Sequence, residues 1–200
     1  MNKTIKKLTI AVVALSLILL GVVGGVAAWL VAQSSEVTNT FTVGQISIEL
    51  TETSSDTDKT EDNGGYKFTH VLPGDKLNKV ATVTVNEGSE KCYVYVLITN
   101  NLNGYAEYNM NTSWVKIGEK DNAILYRYTE APVNALTAKV DCPVFTTLTF
   151  EETIVAADKT TLDGKTVVLK AYAHQADNTN VDTADDAAKI WAGITPQNNG

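Results

Sequence analysis

Cys92-Tyr-Val-Tyr-Val-Leu-Ile-Thr99 is apolar on both of its alternating sides, with Cys92, Val94, Val96 and Ile98 opposed to Tyr93, Tyr95 and Leu97. Successive side chains of a strand point to opposite faces, so this run needs cover on both and predicts a central strand. Before it, residues 80–85 alternate Ala81, Val83 and Val85 with Thr82 and Thr84, and residues 41–51 alternate Ile46, Ile48 and Leu50 with Gln45, Ser47 and Glu49. Each predicts a strand with one buried face. After it, residues 114–117, 123–129, 144–150 and 167–174 are rich in the β-branched and aromatic side chains that pleated surfaces favour. Short strands at this spacing predict an all-β antiparallel sandwich.

Between the strands, Pro73-Gly74-Asp75 and Asn86-Glu87-Gly88 are turn chemistry. Residues 52–65 hold Ser, Thr, Asp, Glu and Gly but no apolar side chain, which predicts a mobile surface loop. The Asn-rich stretch 102–113 is expected to hold at most a short helical turn. Near the end, Thr183 followed by Asp186 fits the Ser/Thr-x-x-acid start of a helix, predicted over 184–191. The count is thus one or two short helices.

The first thirty residues point out of the cytoplasm. Lys3, Lys6 and Lys7 form a basic start, residues 8–20 an apolar run, and no charged residue comes before Glu36. Gly24, Gly25, Ala27 and Ala28 supply the small side chains a signal peptidase requires, so 1–28 is predicted as a signal peptide cut after Ala28, with Ala27 second, leaving Trp29 first. An uncleaved anchor is the competing reading, because the uncharged stretch 8–32 is 25 residues long and about 20 span a bilayer. Cleavage leaves residues 29–200, a length suited to one domain. The lost segment takes three lysines and no acid, so 13 basic residues remain against 23 acidic, a net −10. Such a surface repels phosphate backbones and excludes nucleic acid as a natural partner. Export makes a Cys92–Cys142 bridge chemically permissible, while two inert buried thiols are equally compatible with the sequence.

Val37-Thr-Asn-Thr-Phe-Thr-Val-Gly44 just after the Gly-Gly-Val-Ala-Ala junction, Leu72-Pro-Gly74 with Val85-Asn-Glu-Gly88, Pro143-Val-Phe-Thr-Thr-Leu-Thr-Phe150, and Lys170-Ala-Tyr-Ala-His-Gln-Ala-Asp177 with Ala188 and Trp191 occur in that order. In this ordered set the chain resembles the TasA/camelysin family of exported biofilm-matrix fibre proteins with SipW-type signal peptides. It departs from the family at Leu30-Val31-Ala32, where an aromatic pair, Thr and Asp are more usual. The resemblance implies a jelly-roll-like sandwich and a secreted, extracellular-matrix or cell-surface location. It also implies a homopolymer in which the mature N-terminus of one subunit, about 29–41, completes a sheet of the next. Other matrix proteins are further expected partners, and membrane contact is expected only through the signal peptide. An added strand gains affinity from main-chain hydrogen bonds and specificity from alternate side chains, so Trp29, Leu30, Val31, Val37 and Phe41 are the expected donor residues.

The camelysin branch is described as metallopeptidase, which makes that activity, alongside a monomeric surface-binding module, the alternative to a fibre subunit. The residues give it little: His70 and His174 are the two histidines, and neither sits in His-Glu-x-x-His. Asp177, Asp182, Asp185 and Asp186 offer oxygens of the kind calcium takes, but their spacing does not fit an EF-hand, and a solvated loop with a helix cap is expected. Tyr93, Tyr95, Tyr126 and Tyr128 recur two apart, compatible with a sugar-binding face but better explained as cross-strand pairs. No nucleophile elbow or phosphate cradle occurs. The chain is accordingly expected to have no active site and to need no cofactor.

Overall fold

The computed structural model describes residues 31–34, 45–62, 64–102, 104–155, 158 and 162–195. By its internal contacts the chain divides into Met1–Val31 and Ala32–Gly200, and the sheets belong to the second unit. The expected signal peptide, the cleavage residues Ala27, Ala28 and Trp29, and the donor residues Leu30, Val37 and Phe41 lie outside the described residues. Val31 is described only as the first residue of a strand. In chain order the strands are β1 (Val31–Ser34), β2 (Ile48–Thr53), β3 (Lys59–Asp62), β4 (Gly65–Phe68), β5 (Lys76–Val85), β6 (Ser89–Asn100), β7 (Ala106–Met110), β8 (Trp114–Lys120), β9 (Ala123–Tyr128), β10 (Val133–Ala135), β11 (Val140–Phe150) and β12 (Val167–Gln175), with one helix, α1 (Val181–Trp191), after them.

The doubly apolar run becomes β6, the axis of a six-stranded sheet ordered β1-β12-β6-β9-β8, with β10 also paired to β6. One side of β6 pairs with β12 from Cys92↔Gln175 to Asn100↔Val167. The other side is shared by β9, at Tyr95 to Thr99, and β10, at Ser89 to Cys92. A four-stranded sheet, β2-β5-β11-β7, lies opposite. Among the described strands from β5 onward the chain crosses between the sheets from β5 to β6, β6 to β7, β7 to β8, β10 to β11 and β11 to β12, so the fold is an all-β antiparallel sandwich, as the alternation predicts, and jelly-roll-like, as the resemblance implies.

Side-chain alternation explains the core. Val94, Val96 and Ile98 of β6 and Leu169, Ala171 and Ala173 of β12 face Ile48, Val83, Val85, Val144 and Phe145 of the other sheet in one buried cluster. Full burial of each Val, Ile or Phe contributes about 1.5–3 kcal/mol. The other face of the six-stranded sheet is covered by α1, whose buried Ala184 and Ala188 let the helix approach Tyr95, Leu125 and Tyr172, all fully buried. Tyr172 lies 5.0 Å from Trp191 with the rings 9° from parallel.

Three stretches differ from expectation. Within 52–65, β2 runs on to Thr53, and 59–62 pair with 65–68 as a hairpin instead of remaining a loop. Backbone pairing needs no apolar side chain, Gly64 turns the chain at φ +81°, and Lys59 sits 4.6 Å over the Tyr66 ring. The 102–113 stretch holds β7 after a single turn in which Leu102 O accepts from Tyr105 N at 2.8 Å and Ala106 N at 2.9 Å. There Asn109 Oδ1 accepts from the amides of Thr146 (3.1 Å) and Thr147 (2.6 Å), filling a register shift in β11. The helix begins at Val181, three residues before the expected start, because the Asn180 side chain caps it by accepting from Thr183 N at 2.8 Å.

Candidate functional site

A sheet ends in unpaired amide and carbonyl groups, and how each edge is closed decides whether another chain can add there. At the β8 edge three devices combine. Lys116 and Glu119 form an exposed ion pair, and Lys120 Nζ donates to Gly193 O at 3.1 Å. The register with β9 shifts between Lys116 and Gly118. The helix exit leans on the strand closely enough that a Cβ on Gly118 would meet Ile194 Cγ2 at 3.3 Å.

The opposite edge is unlike this. All nine residues of β12 pair with β6, whereas the strand beside it on the outer side, β1, has four residues. Lys170 is the one charged side chain on β12, and Val168 is an exposed apolar residue there. The β12 ladder with β6 runs without a register shift, and β1 lies along the outer side of β12.

The expected chemical groups do not converge. His70 is exposed in a turn at φ +58°, while His174 is buried on β12 with Nδ1 2.8 Å from its neighbour's Gln175 carbonyl. Among the described residues no group of three or more His, Cys, Asp or Glu side chains could hold a metal ion. The acidic stretch is dispersed. Asp185 Oδ1 accepts from the Tyr95 hydroxyl at 3.0 Å and Oδ2 from Arg127 Nε at 3.2 Å, while Asp186 pairs with Lys189 at 3.2 Å. Burial raises the Asp185 carboxyl despite the pull of Tyr95 and Arg127. The same burial, with the Asp185 charge and hydrogen bond, raises the Tyr95 phenol far above its ordinary range. These groups anchor α1 to the sheet. Buried under the same helix, the Tyr172 hydroxyl and Trp191 Nε1 have no hydrogen-bond partner.

The four tyrosines do not make one face. Tyr95 and Tyr93 lie on the helix-covered side, Tyr128 is in the core against Trp114 at 5.1 Å, and the Tyr126 hydroxyl meets that of Tyr108 at 3.0 Å. Cys92 and Cys142 are free, buried thiols. No helix among the described residues is long and apolar enough to cross a membrane. Compared with family profiles, curated proteins and solved structures, the chain matches none.

The β12 edge was missed by sequence reasoning, although 167–174 was recognised as a strand. Alternation reports which side chains are buried, not which neighbour lies alongside. The donor residues it singled out at 29–41 bracket the strand that occupies this edge, and no sequence signal marked 167–175 as the place it goes.

Proposed function

We propose that the chain is an exported structural subunit of extracellular matrix fibres, of the TasA/camelysin kind, that assembles by exchanging its mature N-terminal strand between copies. The observation that carries this reading is the contrast at the β12 edge, where a four-residue terminal strand is the neighbour of a nine-residue one. A terminal strand can leave its own sheet and take the same place on another copy without disturbing the core, because identical backbone groups await it there. The segment's apolar start at Trp29, Leu30 and Val31 supports the same reading: such side chains are a liability on a monomer and gain burial at an interface. Val37 and Phe41 are the residues that would set its register.

The test compares mature protein (29–200) with a chain lacking residues 29–38 at equal concentration. Light scattering and electron microscopy should show fibres from the first and a folded monomer from the second. A synthetic 29–38 peptide should bind the truncated protein and raise its Tm by linkage. Fibres of equal length from both chains would overturn strand exchange, and the absence of any polymer from mature protein would overturn the fibre function itself.

A further inference from the structure

We propose that Cys92 and Cys142 form an intramolecular disulfide between the two sheets when the chain folds under oxidising conditions, and that closure of the sandwich then seals the pair in whichever redox form it holds.

The topology brings the two residues to one level of the core. Cys92 lies on the inward face of β6, four residues past the Asn86–Gly88 crossover, within the same cluster as Val94 and Val96. Cys142 lies on the inward face of β11, in register with Val83 of β5, three residues before that crossover. The residues therefore sit in facing sheets at matching depth from a connection that joins those sheets. The short strand β10 ties the same end together. Val133 is in register with Cys92, Gly88 N donates to Ala135 O at 2.9 Å, and the chain returns from β10 directly into β11 and Cys142. Both residues are 0% exposed. Each thiol is pushed up to about 12, first by burial, and Cys142 contributes to the shift at Cys92, as neighbouring sulfurs do.

The chemistry needs an external disulfide, either a small molecule or a thiol–disulfide oxidoreductase. A thiolate of the chain attacks it, releasing one external thiolate and forming a mixed disulfide. The second cysteine, once deprotonated, attacks the chain sulfur of that mixed disulfide and displaces the other external thiolate. The protein loses two protons and two electrons, and the oxidant becomes two thiols. In the closed sandwich neither step can start, since the thiolate is the nucleophile and both thiols are inaccessible and protonated at neutral pH. Bond formation accordingly belongs to the open chain, and reductants are equally excluded afterwards. The bridge does not depend on polymerisation.

The experiment takes the full mature chain, denatured and reduced, and refolds it in parallel with mixed reduced and oxidised glutathione and with excess reductant. The oxidised sample should weigh about 2 Da less by intact mass, show no reactive thiol under denaturing conditions and melt roughly 10 °C higher, the effect of linking residues this far apart in a domain this size. The reduced sample, once folded, should resist both oxidised glutathione and iodoacetamide until denatured. A Cys142→Ala variant refolded in the glutathione buffer should melt like the reduced protein and retain Cys92 as a free thiol or glutathione adduct. Two free thiols, two glutathione adducts or a cross-linked dimer from the intact chain would overturn the bridge. Oxidation of the folded, reduced protein as fast as of the denatured chain would overturn the sealing.

Discussion

At one edge of the six-stranded sheet, β8 carries Lys116, Glu119 and Lys120, shifts its register at Gly118 and is backed by Ile194, whereas at the other edge the nine residues of β12 stand beside four of β1. The first closure is made of side chains and of the element that follows the last strand in sequence. The other closure is a strand near the start of the domain, whose backbone is the same on every copy. The Lys116–Glu119 pair contributes at most about 1 kcal/mol to stability; its effect on β8 is to make desolvation by an incoming strand unfavourable.

The largest expected effect tests whether the helix is what keeps β8 closed. Trp191→Ala removes the ring stacked on Tyr172 and should lower stability by about 2–3 kcal/mol, below the full-burial range because Trp191 keeps some exposure. Thermal unfolding measures the loss, and light scattering should reveal association as Ile194 lifts from the edge; a destabilised but strictly monomeric variant in the 29–38 deletion background would show that the charges suffice.

Gly118→Val acts on the same contact from the strand side. Its Cβ alone would meet Ile194 Cγ2 and Cδ1 at 3.3 and 3.4 Å, and the forced shift should cost about 1–2 kcal/mol by denaturant titration. An unchanged midpoint would mean the helix exit is loosely held.

Smallest in stability, and most direct for the comparison, is the double change Lys116→Thr with Glu119→Thr. Unfolding free energy should move by less than about 0.5 kcal/mol, yet the variant, again lacking residues 29–38, should self-associate with rising concentration in analytical ultracentrifugation. If it stays monomeric, the register shift and the helix close β8 without the charges.

How far the architecture was legible follows from what each strand buries. β5 and β6 announce themselves because their inward residues, such as Val83 and Val96, recur at every second position, whereas β11 and β12 show in their β-branched and aromatic composition, the alternation of β11 being broken where Val144 and Phe145 are both buried beside a register shift. The β3–β4 hairpin hid because Lys59 to Asp62 bury almost nothing and are held largely by main-chain pairing, with Lys59 over the Tyr66 ring and donating to Ser54 O. β7 hid behind its asparagines, since the value of Asn109 lies in amides of β11 that only the pairing brings near. At the helix, Thr183 looked like the cap, but Asn180 accepts from its amide, placing the start three residues earlier. The β12 edge was the least visible element, because pairing partners far apart in sequence leave no mark on either strand's own pattern.

The long ladder between β6 and β12 has a consequence for the order in which the molecule can be made. A ribosome or an export channel delivers residues from the N-terminus onward, yet Cys92 to Asn100 find their full-length partner in Val167 to Gln175, the last strand to emerge. Until then one side of this strand, opposite the side that β9 and β10 cover, waits for some seventy residues of further chain, and pairing over such separations is slow and exposed to aggregation. The six-stranded sheet is therefore completed only when almost all of the chain has been delivered, although β2, β5 and β11 and the β8–β9 hairpin have all their residues beforehand.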